Sequence, residues 1–181
     1  MKIIAFAASS SKSSINKTLV TYAAGLVENA EVEILDLNNF ELPLFSVDKE
    51  AEIGQPDLAK DFLAKLNDCD AIMISFAEHD GSYSVAYKNL FDWCSRITRD
   101  IFQNKPMVIL ATSPGPGGAA RVLKAATTSA PYFSGDVKAS LSIPRFHDNF
   151  DPKTQTLNNT DLNNKLLKAV QTLQPSKEKA I

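Results

Sequence analysis

Apolar runs alternate with amphipathic stretches along nearly the whole chain, and this alternation limits the possible folds of the 181 residues more than any other feature. KIIAFA, Lys2 to Ala7, is a continuous apolar run, the pattern of a strand covered on both faces. Leu19, Tyr22, Ala23, Leu26 and Val27 then recur at helical spacing and predict a helix from about Asn16 to Glu28. VEILDL, Val32 to Leu37, alternates and reads as a second strand. A long Pro-containing segment follows, Asn38 to Pro56, and Leu58, Phe62 and Leu66 mark the next helix. AIMISF, Ala71 to Phe76, is the third strand, and Val85 to Phe102 is helical in spacing. PMVILAT, Pro106 to Thr112, is the fourth strand, leading through SPGPGG to a helix near Ala119 to Ser129. VKASLSI, Val137 to Ile143, makes a fifth strand, and a polar stretch, Pro144 to Asn159, precedes a last helix over Asp161 to Leu173.

Five strands separated by helices predict an α/β fold, an open parallel sheet with helices on both faces. No internal repeat or linker divides the chain, so residues 1–174 are expected to form one domain, with 175–181 a frayed tail. In such sheets a ligand lies outside the carboxyl ends of the strands, near the topological switch point. The loops that matter are therefore those after strands one, three and four. A net charge of -2 gives no electrostatic case for nucleic acid or an anionic membrane as partner. No segment approaches the ~20 apolar residues of a membrane helix. The run Ile3 to Ala8 is short for a signal-peptide core and leads straight into a helix start. Cys69 and Cys94 lack CxxC spacing and read as buried thiols in a reducing compartment, so a cytoplasmic location is expected.

The first loop, ASSSKSSIN from Ala8 to Asn16, offers small hydroxyls and free N–H groups at a helix start, where the helix dipole favours an anion. Lys12 or Lys17 adds charge. The glycines of a dinucleotide fingerprint or Walker loop are absent, so the loop suits a monophosphate. The competing view is a serine-rich turn with an N-cap and no ligand; position directly after the first strand favours phosphate. In the third-strand loop, Glu78, His79 and Asp80 resemble an acid–base kit. Adjacent side chains diverge, however, no GxSxG-like nucleophile turn is present, and His147 is the sole other histidine, so neither a hydrolase nor a metal site is read there. In the fourth loop Gly115, Gly117 and Ala120 fit G-x-G-x-x-A, but Asp136 lies before the fifth strand rather than closing it, and Pro114 and Pro116 stiffen the turn. It reads instead as a close backbone approach to a ligand, or as a glycine turn permitting tight helix packing.

These loops carry a resemblance. The first-loop pattern GSxRxxSxN is matched at Ser9, Ser14 and Asn16, and the pattern PEYNGS…KNxxDWxSR at Glu78, Gly81, Ser82, Lys88, Asn89, Asp92, Trp93, Ser95 and Arg96. The pattern SPGxxGG is matched at Ser113, Pro114, Gly115, Gly117 and Gly118. ELPLFSVD, Glu41 to Asp48, is similar to a segment near the subunit interface of the same family. The chain thus resembles the NADPH-dependent FMN reductase family, flavodoxin-like proteins that include quinone, azo-dye and chromate reductases, over roughly Lys2 to Leu173.

The resemblance implies a three-layer flavodoxin-like sandwich with strand order 2-1-3-4-5. It implies non-covalent FMN with its phosphate held by Ser9, Ser11, Ser14, Ile15 and Asn16. Ala77, Glu78, His79, Asp80 and Gly81 would meet the ring, largely through backbone amides, together with Ser113, Pro114, Gly115, Gly117 and Gly118. NAD(P)H would be the co-substrate and a small acceptor such as a quinone the oxidant. No side chain is expected to act as catalytic acid or base, because the flavin carries the chemistry. A homodimer or homotetramer is implied, with LPLF as one interface patch. Lys88, Asn89 and Trp93 are expected to fix the helix and loop rather than touch substrate.

The departures are specific. Ala8 stands for the glycine and Ser11 for the arginine of the first loop, while His79 and Asp80 replace tyrosine and asparagine. His79 is either a proton source, a substrate contact or a solvent-exposed loop residue. Two rivals accompany the reading: an FMN electron carrier serving protein partners, and a relative that has lost the flavin.

Overall fold

The computed structural model describes residues 1–174; the expectation for 175–181 lies outside the described residues. In chain order the elements are β1 Lys2–Ala8, α1 Ile15–Gly25, β2 Glu31–Leu35, a 3-10 turn Leu37–Phe40, α2 Val47–Ile53 and α3 Asp57–Asn67. Then come β3 Ala71–Phe76, the short strands β4 Glu78–His79 and β5 Ser82–Tyr83, α4 Val85–Ile97, β6 Pro106–Thr112, α5 Ala120–Ser129 and a 3-10 turn Ala130–Phe133. The chain continues with β7 Asp136–Ile143, α6 Phe146–Asn149, β8 Phe150–Asp151, β9 Thr156–Leu157 and α7 Thr160–Gln171.

The long strands form one parallel sheet in the order β2-β1-β3-β6-β7. Counting those strands alone this is 2-1-3-4-5, as expected. Side chains alternate between faces along a strand, and the core divides accordingly. Ile4, Phe6, Ile72 and Ile74 pack with α3, α4 and α5, whereas Ile3, Ala5, Met73 and Val108 pack with α1 and α7. All six residues of β3 are buried. Burying each large apolar side chain contributes about 1.5–3 kcal/mol, which accounts for the uninterrupted apolar runs of the central strands. The edge strands differ. β2 carries Glu33, which pairs with Lys65 at 2.6 Å, and β7 carries the Lys138–Asp136 pair at 2.6 Å, charges that discourage edge-to-edge association.

The structure departs from the sequence reading at element ends. The second strand stops at Leu35, because the Asp36 carboxylate accepts from Asn38 N at 3.0 Å and caps the 3-10 turn. The segment 38–56 holds α2, opened by Ser46 capping Lys49 N at 3.0 Å; α2 buries none of its residues and so left no periodic signal. The fourth helix ends at Ile97 rather than Phe102, with Thr98 extended. Within 144–159, taken as a polar stretch, lie α6 and the β8–β9 hairpin.

Candidate functional site

Three loops meet where β1, β3 and β6 end. Asn16, 3 % exposed, joins two of the strands. Its Oδ1 accepts from Ser75 Oγ at 2.7 Å and from Thr112 N at 3.1 Å, and its Nδ2 donates to Thr112 O at 3.2 Å. The start of α1 is thereby locked to the ends of β3 and β6. Thr112 Oγ1 donates to Ile143 O at 2.7 Å, and Ser84, the N-cap of α4, donates to Ala8 O at 2.8 Å, so β7 and β1 are tied into the same polar belt. The side chain of Asn16 is therefore committed to the framework, and what it turns toward the cleft is backbone.

The serine loop has the opposite character. Ser14 caps α1 through Lys17 N at 3.2 Å, and Ser9 Oγ accepts from Ser11 N at 3.2 Å. Among the described residues, the N–H groups of Lys12, Ser13, Ser14, Ile15 and Asn16 find no partner. They are the orphan donors of a helix start and the loop before it. Lys17 does not join them, because its ammonium pairs with Asp36 at 2.6 Å. That pair, with the Asn38 N–H, holds the Asp36 carboxyl below the usual range. Lys12 lies on the outer side of the loop, beside Thr21, Tyr22 and Gln155.

The loop after β3 is a hairpin, which the sequence reading missed. Glu78 pairs with Tyr83 and His79 with Ser82. Between them Asp80 (φ 52°) and Gly81 (φ 79°) both take positive φ, the turn for which Asp-Gly is a favoured pair. The Asp-Gly dipeptide was a visible signal, but two-residue strands are too short to show periodicity. His79 and Asp80 are exposed. Glu78 points elsewhere: its Oε2 accepts from Val122 N at 3.0 Å. Helix α5 has no cap of its own, since its N-cap is Ala119 in the left-handed region, and Glu78 supplies one from 44 residues away. The trio therefore contains one helix cap and two solvent-facing side chains. Among the described residues no cluster of three or more metal-ligating side chains occurs.

The fourth loop is tied down by the turn that follows β7. Ser113 O accepts from Phe146 N at 3.1 Å and Gly115 O from Arg145 N at 3.0 Å. A Cβ on Gly118 would stand 2.2 Å from Ser142 Oγ, so this glycine is required by contact with the end of β7. A Cβ on Gly115 or Gly117 would meet nothing within 4 Å, which leaves these two facing open space.

Ser9, Ser11, Ser13, Ser14, Ile15 and Asn16 face Ala77, Glu78, His79, Thr112, Ser113 and Pro114 across a cleft of about 260 Å³. The structure thus brings most of the expected site residues together. Asp80, Gly81, Gly115, Gly117 and Gly118 lie outside that lining, in the two loops at its mouth. Glu78 is the one carboxylate in the lining, and it is occupied at α5. A donor set of hydroxyls and unpaired N–H groups with no free acid is suited to a phosphate, so the residues present fit the phosphate end of a mononucleotide.

Helix α4 lies behind the cleft. Asn89 Oδ1 accepts from Phe45 N at 2.8 Å while its Nδ2 donates to Leu42 O and Pro43 O, both at 3.1 Å. Trp93, fully buried, donates from Nε1 to Pro43 O at 2.8 Å and meets the Phe45 ring edge-on at 5.1 Å. Arg96 pairs with Glu50 at 2.8 Å. Asn89, Trp93 and Arg96 of the KNxxDWxSR stretch thus clamp the segment 42–50. Burial pushes the nearby Cys94 thiol up to about 12, so it stays protonated at neutral pH.

The family model described as NADPH-dependent FMN reductase matches residues 1–147. An NAD(P)H-dependent FMN reductase of Pseudomonas aeruginosa is 30% identical over 122 residues, 67% of this chain and 64% of the relative. An NADPH:quinone oxidoreductase of Arabidopsis thaliana is 29% identical over 122 residues, 65% of this chain and 61% of the relative. The match thus takes in somewhat under two thirds of the length of these two curated relatives. Among solved structures, the flavoenzyme NAD(P)H:(acceptor) oxidoreductase FerB of Paracoccus denitrificans superposes with a TM-score of 0.74 at 21% identity, covering 95% of this chain and 94% of that one. An FMN-dependent NADH-azoreductase of Bacillus anthracis, solved in complex with FMN, gives 0.66 at 12% identity, covering 96% and 99%.

Proposed function

The chain belongs to the NADPH-dependent FMN reductase family, and from that premise we propose that it is an FMN-dependent NAD(P)H oxidoreductase acting on a small acceptor such as a quinone. The observation that carries the reading is the serine loop. Its unpaired N–H groups sit at the start of α1, at the switch point of the sheet, across the cleft from the hairpin and the glycine loop. The names of the quinone reductase and FMN reductase relatives support the reaction class. Bound FMN would supply the redox chemistry that links a reduced nicotinamide to the acceptor.

The chain's own residues bind and orient. The Ser9, Ser11 and Ser14 hydroxyls and the N–H groups of 12–16 hold the phosphate, and the dipole of α1 adds to their pull. Backbone groups of Ala77–Gly81 and Ser113–Gly115 would meet the ring, and Gly117, with open space beside it, would leave room there. Asn16, Glu78 and Gly118 act from behind, by fixing where those backbones stand. No side chain of the cleft is required to move a proton.

Residues 1–174 on this reading form one FMN-binding domain. A homo-oligomer is supported by the exposed apolar residues Leu44, Val47 and Val85, 74%, 68% and 72% accessible, beside the clamped LPLF stretch. A cytoplasmic setting is supported by two unpaired, buried thiols. Among the described residues no helix is long and apolar enough to cross a membrane.

The test is an absorbance spectrum of the purified protein after incubation with FMN, then anaerobic addition of NADH or NADPH and a quinone. Yellow protein, bleached by nicotinamide and restored by quinone through repeated turnovers, is the expected result. Protein that takes up no FMN would make it a relative that has lost the flavin. Protein that is bleached but does not turn over with quinone would make it a carrier.

A further inference from the structure

One face of α5 leads away from the hairpin, and no other described residue packs on it. Arg121, Lys124, Ala125, Thr128 and, one turn beyond the helix, Tyr132 all lie on that face, and all five are exposed. With Ser129 they line a groove of about 430 Å³ that contains no carboxylate. The buried face of the same helix carries Val122 and Ala126. The groove starts at the candidate site: a Cβ on Gly81 would stand 3.4 Å from Arg121 Cδ and 3.5 Å from one of its terminal nitrogens, so Arg121 lies over the hairpin turn. It ends at the Tyr132 ring, 75% exposed. Among the described residues neither Arg121 nor Lys124 has a carboxylate within ion-pair distance, although ten other ion pairs occur there.

We propose that this groove binds the adenosine diphosphate half of the nicotinamide dinucleotide, with Arg121 and Lys124 on its phosphates and the adenine against Tyr132. The inference rests on the NAD(P)H-dependent reading above. A nicotinamide brought to the mouth of the cleft leaves a charged, extended remainder to be carried over the neighbouring surface. Surfaces on the other side of the cleft suit it less: the serine loop is taken by the phosphate of FMN, and the groove between Ser10, the 3-10 turn Leu37–Phe40 and Val85 is lined by no lysine or arginine and includes the Glu41 carboxylate. The α5 face presents two unpaired cations and then an exposed aromatic ring. From Arg121 to Tyr132 the chain rises roughly 17 Å at about 1.5 Å per residue through α5 and the turn that follows it, a span that an extended dinucleotide can bridge. Arg121 and Lys124 give charge complementarity to phosphate, and the small side chains of Ala125 and Thr128 let a flat ring system lie close to the helix.

The experiment uses the FMN-loaded chain. Calorimetric titration with ADP-ribose, the dinucleotide without its nicotinamide, is expected to show saturable binding that weakens about tenfold in Lys124→Ala and in Tyr132→Ala, a difference of the size of one lost charged or stacking contact. In steady state the same variants are expected to raise KM for the preferred dinucleotide with kcat held, and to leave KM for reduced nicotinamide mononucleotide where it was. ADP-ribose that does not bind, or that binds both variants as well as the parent, overturns the proposal. So does a Tyr132→Ala protein altered in sedimentation but not in nucleotide affinity, which would give the face to a second copy of the chain. Oxidation of neither nicotinamide compound would instead count against the reductase reading, and the ADP-ribose titration would still decide the groove.

Discussion

The serine loop and helix α4 both carry dense polar motifs, yet they use them in opposite ways. In α4 the Asn89 amide, the Trp93 indole and the Arg96 guanidinium all have partners in the segment 42–50. In the serine loop, consecutive N–H groups have none among the described residues. Buried or half-buried polar groups that are fully paired specify structure, whereas aligned donors left without partners mark a place for a ligand. A motif by itself does not separate these cases; the hydrogen-bond partners do.

Mutations can break that comparison. The largest effect is expected from Trp93→Ala, which empties a fully buried site and removes the bond to Pro43 O. A loss of about 3–5 kcal/mol is expected by urea denaturation, with FMN affinity of the folded fraction little changed. A large loss of affinity at unchanged stability would erase the distinction between the two regions. Asn16→Ala comes next. Three hydrogen bonds disappear and buried groups on Ser75 and Thr112 lose their partner. The expected cost is about 2–3 kcal/mol, together with weaker FMN binding. Here stability and affinity should fall together, which separates Asn16 from the serines around it.

Glu78→Ala removes the cap of α5 and should cost about 1 kcal/mol. Glu78→Gln keeps an acceptor at the same reach and should restore most of the stability, read as a recovered midpoint. Ser11→Arg places in the loop the cation that the resemblance leads one to expect. The FMN dissociation constant should fall about tenfold with stability unchanged, since a charge-assisted bond to phosphate is added at an exposed position. No gain in affinity would mean that hydroxyls and N–H groups already saturate the phosphate. The smallest effect is expected from Asp80→Asn. Asparagine tolerates the φ of 52° as well as aspartate does, so the turn and the stability should hold. The two-electron potential of the bound flavin should rise modestly, because a negative charge near the ring is removed. An unchanged potential in an anaerobic dye titration would remove that role.

Much of this was legible in the chain because it is written locally. Runs such as AIMISF and PMVILAT are strands buried on both faces, and Leu19 and Ala23, one turn apart, report a helix face. The positions of the serine, hairpin and glycine loops followed from the ends of the strands. What was not legible depends on distance. Nothing near Glu78 announces that its carboxylate serves Val122, and nothing near Asn16 announces Ser75 and Thr112. Helix α2 escaped because it buries no residue, and the β4–β5 hairpin because each strand has two residues. The Lys17–Asp36 pair, which takes Lys17 away from the phosphate loop, likewise has partners 19 residues apart.

The bracket built on Asn16 also bears on how the chain acquires its shape. Its bonds join residues 59 and 96 positions apart, and contacts of such long range require loop-closure entropy to be overcome before they stabilise the chain. A nascent chain that has delivered only β1, β2 and β3 already possesses the serine loop and Ser75, but lacks Thr112 and with it two of the three bonds that hold Asn16. The cofactor pocket is thus finished only after β6 has docked. On this view a stalled or truncated product that lacks β6 would hold FMN more weakly than the complete chain.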